Sequence, residues 1–255
     1  AWPEHAGMAL EVGALSLLNG TTLTHQATTN TVEYALELTV AGSLTVDTTS
    51  RIDVSGRGYL SGRTVGNTTE GASGGEAGGS YGGLGGFGYY GGTANAVYGD
   101  YRNPNDLGSG AAFYGIGGGL VRILADSASI DGAILAHGGA GGPGGSGGGI
   151  LLNAGTLSGS GTIAANGGAG VDSKGSGSGG RVAVYYDTLV GFNLSQVTAL
   201  SGDLGWGNAG GVGTVYLKEA DMPGVLRLDD GGKAAGGITP LGVATDTIFQ
   251  ADTLV

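Results

Sequence analysis

Three arginines lie in strand-like blocks: Arg122 in Gly118-Gly119-Leu120-Val121-Arg122-Ile123, Arg181 in Gly179-Gly180-Arg181-Val182-Ala183-Val184, and Arg227 in Leu226-Arg227-Leu228. A guanidinium beside a carboxylate, both projecting from one face of adjacent strands, is the apparatus a sugar-polymer lyase or hydrolase needs. Asp53 and Asp131 are the acids that come nearest to serving as partners. Nothing in the spacing requires them to meet, so no catalytic residue is assigned. His5, His25 and His137 are too dispersed for a metal triad, and the absence of cysteine excludes a thiolate site. Asp100, Asp106, Asp131, Asp172, Asp203, Asp229 and Asp230 stand mostly beside glycine. They read as solvated turn residues, with a structural calcium as the alternative, because calcium asks for several convergent oxygens. The many Gly-x-Gly stretches lack a Gly-Lys-Ser/Thr ending and a strand-to-helix context, so phosphate binding is dismissed and no cofactor is expected.

Aromatic side chains offer a second kind of chemistry. Tyr81, Phe87, Tyr89, Tyr90, Tyr98, Tyr101, Phe113 and Tyr114 fall within 34 positions of a glycine-dense tract. Such rings either fold back as a lid over the rest of the chain or stack on sugar rings and partner surfaces. On the second reading Tyr81, Tyr89, Tyr90, Tyr98, Tyr101 and Tyr114 are the candidate contacts.

The elements that must position these groups come from a repeat. Ile52-Asp53-Val54-Ser55-Gly56, Ile134-Leu135-Ala136-His137-Gly138, Ile163-Ala164-Ala165-Asn166-Gly167 and Val197-Thr198-Ala199-Leu200-Ser201-Gly202 each run an apolar stretch into a polar residue and a glycine. Leu226-Arg227-Leu228-Asp229-Asp230-Gly231 is a looser fifth copy. Gly138 and Gly167 are 29 residues apart, as are Gly202 and Gly231; Leu15, Leu17 and Leu23 find counterparts 29 further on at Leu44, Val46 and Ile52. A fixed interval of this size means stacked coils. Period-2 alternation with β-branched residues predicts strands over 15–18, 21–24, 44–46 and 51–54, and no helix-length periodicity appears. The residues before the corner glycines, Ser55, His137, Asn166, Ser201 and Asp230, are of types that tolerate tight corners, and in register they would form a ladder of hydrogen-bonding side chains. The expected fold is all-β, a parallel β-helix of about six coils, with residues 1–255 as one domain.

From 58 to 119 the repeat is interrupted: Gly56 and Gly138 are 82 residues apart, one coil plus an insertion. A bundle of polyproline-II helices in this tract would need glycine at a steady interval of three. Its glycine pairs begin at Gly74, Gly78, Gly82, Gly85 and Gly91, an irregular spacing that argues against the bundle. Sixty glycines alone would suggest disorder, but hydrophobic residues make up 40% of the chain and sit in alternating blocks. A net charge of −11 with no basic stripe repels nucleic acid, and no apolar run approaches the length of a membrane span. The apolar start near Met8 and Leu10 and the strand-like stretch 247–255 are expected to be open coil ends. They suit end-to-end pairing with another copy or with further repeats of a longer chain.

The stretch from Ile52 to Tyr59, the Gly/Tyr insertion, and the block from Gly179 to Tyr186 resemble the glycine-rich, right-handed parallel β-helix segments of very large secreted or surface-attached bacterial proteins. These share the pectate-lyase-like β-helix architecture. The resemblance spans roughly residues 9 to 232 and implies a right-handed coil, an extracellular or cell-surface location, and a noncatalytic structural or adhesive role as stalk or fibre subunit. Its alternative is a polysaccharide-binding or polysaccharide-degrading module that uses the Tyr-rich insertion.

Overall fold

The computed structural model describes residues 6–203, 208–233, 237–242 and 252–255. They form a parallel β-solenoid of about seven turns, with almost no helix. Sheet A is built from β1 (Ala6–Val12), β2 (Leu15–Leu17), β4 (Tyr34–Val46), β8 (Leu120–Ile130), β10 (Gly149–Ser158), β12 (Arg181–Val190), β14 (Thr214–Glu219), β15 (Val225–Arg227) and β16 (Thr253–Leu254). Sheet B stacks β3 (Thr22–Leu23), β5 (Arg51–Asp53), β9 (Ala133–Leu135), β11 (Thr162–Ala164) and β13 (Val197–Thr198). Each layer of sheet A from β1 and β2 to β12 has its strand in sheet B, and at the C-terminal end β14, β15 and β16 extend sheet A with no counterpart there, which brings the turns above the six expected.

Like side chains lie over like. Leu15, Leu17 and Leu23 pair with Leu44, Val46 and Ile52, and Ile52 continues through Ile134 and Ile163 to Val197. On sheet A, Leu38, Ile123, Leu152, Val184 and Leu217 make a second inward column. The members from Ile52 to Val197 are fully buried. No single turn could bury enough apolar surface to offset the entropy of ordering it; the columns do so jointly. The insertion adds no layer of its own, since β4 pairs directly with β8 and β5 with β9.

A third face closes each turn, and it is made of glycine. The amides of Gly119, Gly148, Gly180 and Gly213 donate to the carbonyls of Val54, Ala136, Ala165 and Ala199, sealing successive turns. Between these points the glycine segments pair outside any sheet ladder. In the run 175–180, the amides of Gly175 and Ser178 reach Glu76 and Gly79; those of Ser176 and Gly179 reach Asn208 and Gly211; those of Gly177 and Gly180 reach Gly168 and Ala165. The run 144–148 repeats the scheme, with Gly144 and Gly147 bonded to Gly175 and Ser178, and Gly145 and Gly148 to Gly139 and Ala136. Three neighbours addressed in rotation are the mark of a helix with three residues per turn, the polyproline-II form. The irregular glycine spacing had argued against this bundle within the insertion. It forms because separate stretches of the insertion, 76–79, 82–86, 108–110 and 115–118, pair with one another and with loops of successive turns, so that no single stretch carries the period.

The close packing of this face requires glycine. A Cβ on Gly117 would stand 1.8 Å from the Gly108 carbonyl oxygen, and one on Gly177 or Gly144 would stand 1.9 Å from the oxygens of Gly145 and Gly168.

The looser fifth repeat copy is corrected by the structure. β15 runs antiparallel to β14, so this copy extends sheet A, with β16 paired beyond it, and adds no layer to sheet B. Alternation of apolar and polar residues is the same in either strand direction, so the pattern could not distinguish them. Arg227 then donates to the carbonyls of Leu194 and Val197, and Lys233 to that of Ser201. These cations cover the end of sheet B at β13, while sheet A ends in the exposed edge strand β16. Residues 243–251, which include most of the predicted terminal strand, lie outside the described residues.

Candidate functional site

The corner ladder is assembled by the register of sheet B. Ser55 Oγ accepts the His137 amide at 3.0 Å, His137 Nδ1 accepts the Asn166 amide at 3.1 Å, and Asn166 Oδ1 accepts the Leu200 amide at 2.8 Å. Leu200, and not Ser201, occupies the fourth rung, because Ile163 pairs with Val197 and the intervening turn has 34 residues. Ser201 lies one position beyond. Asp230 follows the antiparallel β15 and accepts the Gly232 amide of its own turn, so it is no rung. A second polar corner escaped the sequence reading. Asp47 accepts the Asn19 amide at 2.7 Å and Asp131 accepts that of Ser160 at 3.0 Å, and the Asn19 and Thr49 hydrogen bonds hold the Asp47 carboxyl well below the usual carboxylate range.

The His137 rung makes stability depend on pH. As an acceptor, Nδ1 must be unprotonated, and burial lowers the imidazole pKa from its ordinary value against a smaller opposing effect of Asp53. A base with a depressed folded-state pKa binds its proton more readily unfolded. Its contribution is therefore complete above the unfolded value of about 6.5 and is lost as pH falls below it. Melting temperature measured from pH 8 to 5 is expected to drop more steeply in the native chain than in His137→Asn, which keeps an acceptor that does not titrate. Parallel curves would remove His137 as the cause.

The arginines fasten the insertion to the outward face of sheet A. Arg122 is buried and donates to Asn105 Oδ1 at 2.9 Å and Asn103 Oδ1 at 2.8 Å. Arg181, equally buried, donates from Nε to the Tyr98 carbonyl at 2.8 Å, and its guanidinium lies 5.5 Å from the Tyr81 ring centre. Asp53 is bonded to the Ser55 amide and paired with Arg51, while Asp131 serves the corner just described. The arginines and the acids named with them thus work at different places. Among the described residues, no three His, Cys, Asp or Glu side chains gather to hold a metal ion.

The insertion's aromatic residues divide. Tyr81 and Tyr98 stack at 4.7 Å beneath the lid with Tyr59, Leu107 and Leu120, and Tyr101 packs edge-on to Tyr216 at 5.5 Å. Burial pushes the phenols of Tyr59, Tyr81 and Tyr98 up, so they remain protonated; Tyr98 donates to the Leu107 carbonyl at 2.6 Å. Tyr81, Tyr98 and Tyr101 are therefore corrected from candidate contacts to lid core. They cover the outward apolar side chains of sheet A, which would otherwise meet water.

Tyr89, Tyr90 and Tyr114 remain outside, 77%, 83% and 76% exposed, with Phe87 at 55%. Their positions are fixed by backbone. The Tyr89 amide donates to the Ser173 carbonyl at 2.8 Å, and the Tyr90 amide to Glu76 Oε2 at 3.0 Å. Glu76 is ion-paired with Lys174, whose hydrogen bond holds its carboxyl below the ordinary range. Tyr114 adopts φ +64°, a left-handed conformation costly for a ringed residue, and stands edge-on to Phe113. The Val171 amide bonds the Gly142 carbonyl, and Gly142 in turn lies against Phe113 and Tyr114, so the tips 113–114, 141–142, 171–173 and 89–90 form one edge of the solenoid. That edge presents apolar ring faces to a partner on tips whose backbone is already hydrogen-bonded.

Comparison with protein-family models, with curated proteins and with solved structures finds no match, so the function is read from this geometry.

Proposed function

We propose that this chain is a noncatalytic, extracellular structural and adhesive β-solenoid, displayed as a stalk segment or fibre subunit, with the aromatic edge as its contact surface. The observation that carries this reading is the exposure of Tyr89, Tyr90 and Tyr114 on backbone-anchored tips, beside buried tyrosines of the same insertion. Exposed rings held in place cost little further entropy on binding, which is how aromatic residues come to dominate contact surfaces. End-to-end association would use the layer formed by β1, β2 and β3 or the exposed edge strand β16. On this reading the chain resembles the right-handed, pectate-lyase-like β-helix segments of large bacterial surface proteins.

Adsorption to polysaccharide-coated and apolar surfaces, followed by quartz crystal microbalance, tests the proposal. The double variant Tyr89→Ala/Tyr90→Ala is expected to weaken adsorption by about tenfold or more, the loss of one hot-spot cluster. Val190→Ala, an exposed apolar residue on sheet A, is expected to leave it unchanged. Equal adsorption by the native and doubly substituted chains would refute the aromatic edge.

A further inference from the structure

Beside the Tyr89–Tyr90 turn lies a cleft of about 270 Å³, between β7 (Gly92–Thr93), which pairs with β6 (Gly74–Gly75), the run 84–87, Ala209 and residues 237–238. Its side-chain walls are Leu84, Phe87, Ala94, Ala209 and Ile238, and Thr93 supplies the one side-chain hydroxyl among the lining residues. Phe87 and Ile238 are 55% and 66% exposed, so one aromatic and one aliphatic group border the opening. Gly85 and Gly86 supply the floor, and their amides already donate elsewhere, to Ser80 Oγ and the Ser176 carbonyl; the Leu84 amide donates to the Ile238 carbonyl. With its amides engaged, the floor offers no nest for an anion.

Size, charge and polarity narrow the occupant. The volume suits one ring with a substituent and is too small for a helix or strand. A chain of net charge −11 repels polyanions such as uronic-acid polymers. A plain hexose would press hydroxyls against apolar walls, where each unpartnered group is costly. An acetamido sugar meets these conditions: its methyl enters the apolar cleft, its amide finds the Thr93 hydroxyl, and the apolar face of the ring lies on Phe87.

We propose that this cleft is a subsite for one N-acetylated amino-sugar residue of a neutral glycan. The inference rests on the adhesive reading and gives it a ligand class.

Isothermal titration of the full chain with an N-acetylglucosamine trimer, a neutral glucose trimer and a uronic-acid trimer tests it. Heat is expected from the first alone. Phe87→Ala is expected to weaken the trimer at least about tenfold and Thr93→Val severalfold, while Phe87→Trp retains binding. Far-UV circular dichroism establishes that each variant is folded. Equal heats from all three sugars, no heat from any, or binding that survives Phe87→Ala overturns the subsite. Should adsorption still depend on Tyr89 and Tyr90 in that event, the adhesive reading stands and the cleft alone is discarded.

Discussion

Gly177→Ala is expected to lower the unfolding free energy by more than about 4 kcal/mol, among the largest effects a single methyl can produce. The added carbon would lie 1.9 Å from the Gly145 carbonyl oxygen and 2.5 Å from its carbon. Backbone atoms cannot swing aside as the end of a flexible side chain can. Gly177 is also clamped on two sides, donating to Gly168 and accepting from Gly202, both at 2.9 Å. Moving any of these segments breaks bonds to the next. Gly13→Ala is the control: a Cβ there meets nothing within 4 Å and its φ suits any residue. It is expected to be neutral or to stabilise by about 0.4–1 kcal/mol through the unfolded chain. Urea denaturation of both variants reads the difference. A cost under about 1 kcal/mol at Gly177 would mean that the glycine face is loosely packed.

How much of this could be read from residues alone depends on where the interacting partner sits in the chain. The 29-residue stride was legible because inward side chains such as Leu23, Ile52, Ile134 and Ile163 stack on one another. Stacking imposes likeness, and likeness is visible in sequence. The glycine bundle was not legible, since Gly177 faces Gly145, Gly168 and Gly202 from other turns. A period of three appears in the destinations of the amides, and glycine spacing carries no record of it. The fourth rung was misplaced by one residue for a related reason: the turn from Asn166 to Leu200 is longer than 29, and its extra length is absorbed in the loop. Tyr98 and Tyr89 occupy similar glycine-rich surroundings, yet one is buried and the other exposed. What separates them is whether the outward face of sheet A lies beneath, a tertiary circumstance with no local signature.

The candidate site depends on the same glycine face that the sequence concealed. Glu76 accepts the Gly175 amide through its carbonyl and the Tyr90 amide through its side chain, so the bundle and the aromatic tip share one residue. Loosening the bundle would therefore free the rings and raise the entropy cost of any contact they make.

Asn95→Leu is expected to cost about 3–5 kcal/mol and to release the insertion before the coils. Asn95 is 2% exposed and organises four otherwise separate stretches. Its Oδ1 accepts Ser73 Oγ at 2.9 Å and the Ser80 amide at 2.8 Å; its Nδ2 donates to the Ser80 carbonyl at 3.0 Å and to Ser109 Oγ and Thr64 Oγ1. Leucine has similar bulk but no polar atoms, so the amide and carbonyl of the fully buried Ser80 would lose these bonds together. Each such buried orphan costs about 1–3 kcal/mol, more than the hydrogen bond itself contributes. The loss falls on the insertion, because sheets A and B pair without it. Hydrogen exchange is expected to accelerate at the amides of Gly78, Ser80 and Gly86 while those of β9 and β11 keep their protection. Unchanged exchange across 78–86 would show that the Asn95 network is not what holds the lid, and would shift that role to Arg122 and Arg181, whose guanidiniums bind the neighbouring stretch 98–105.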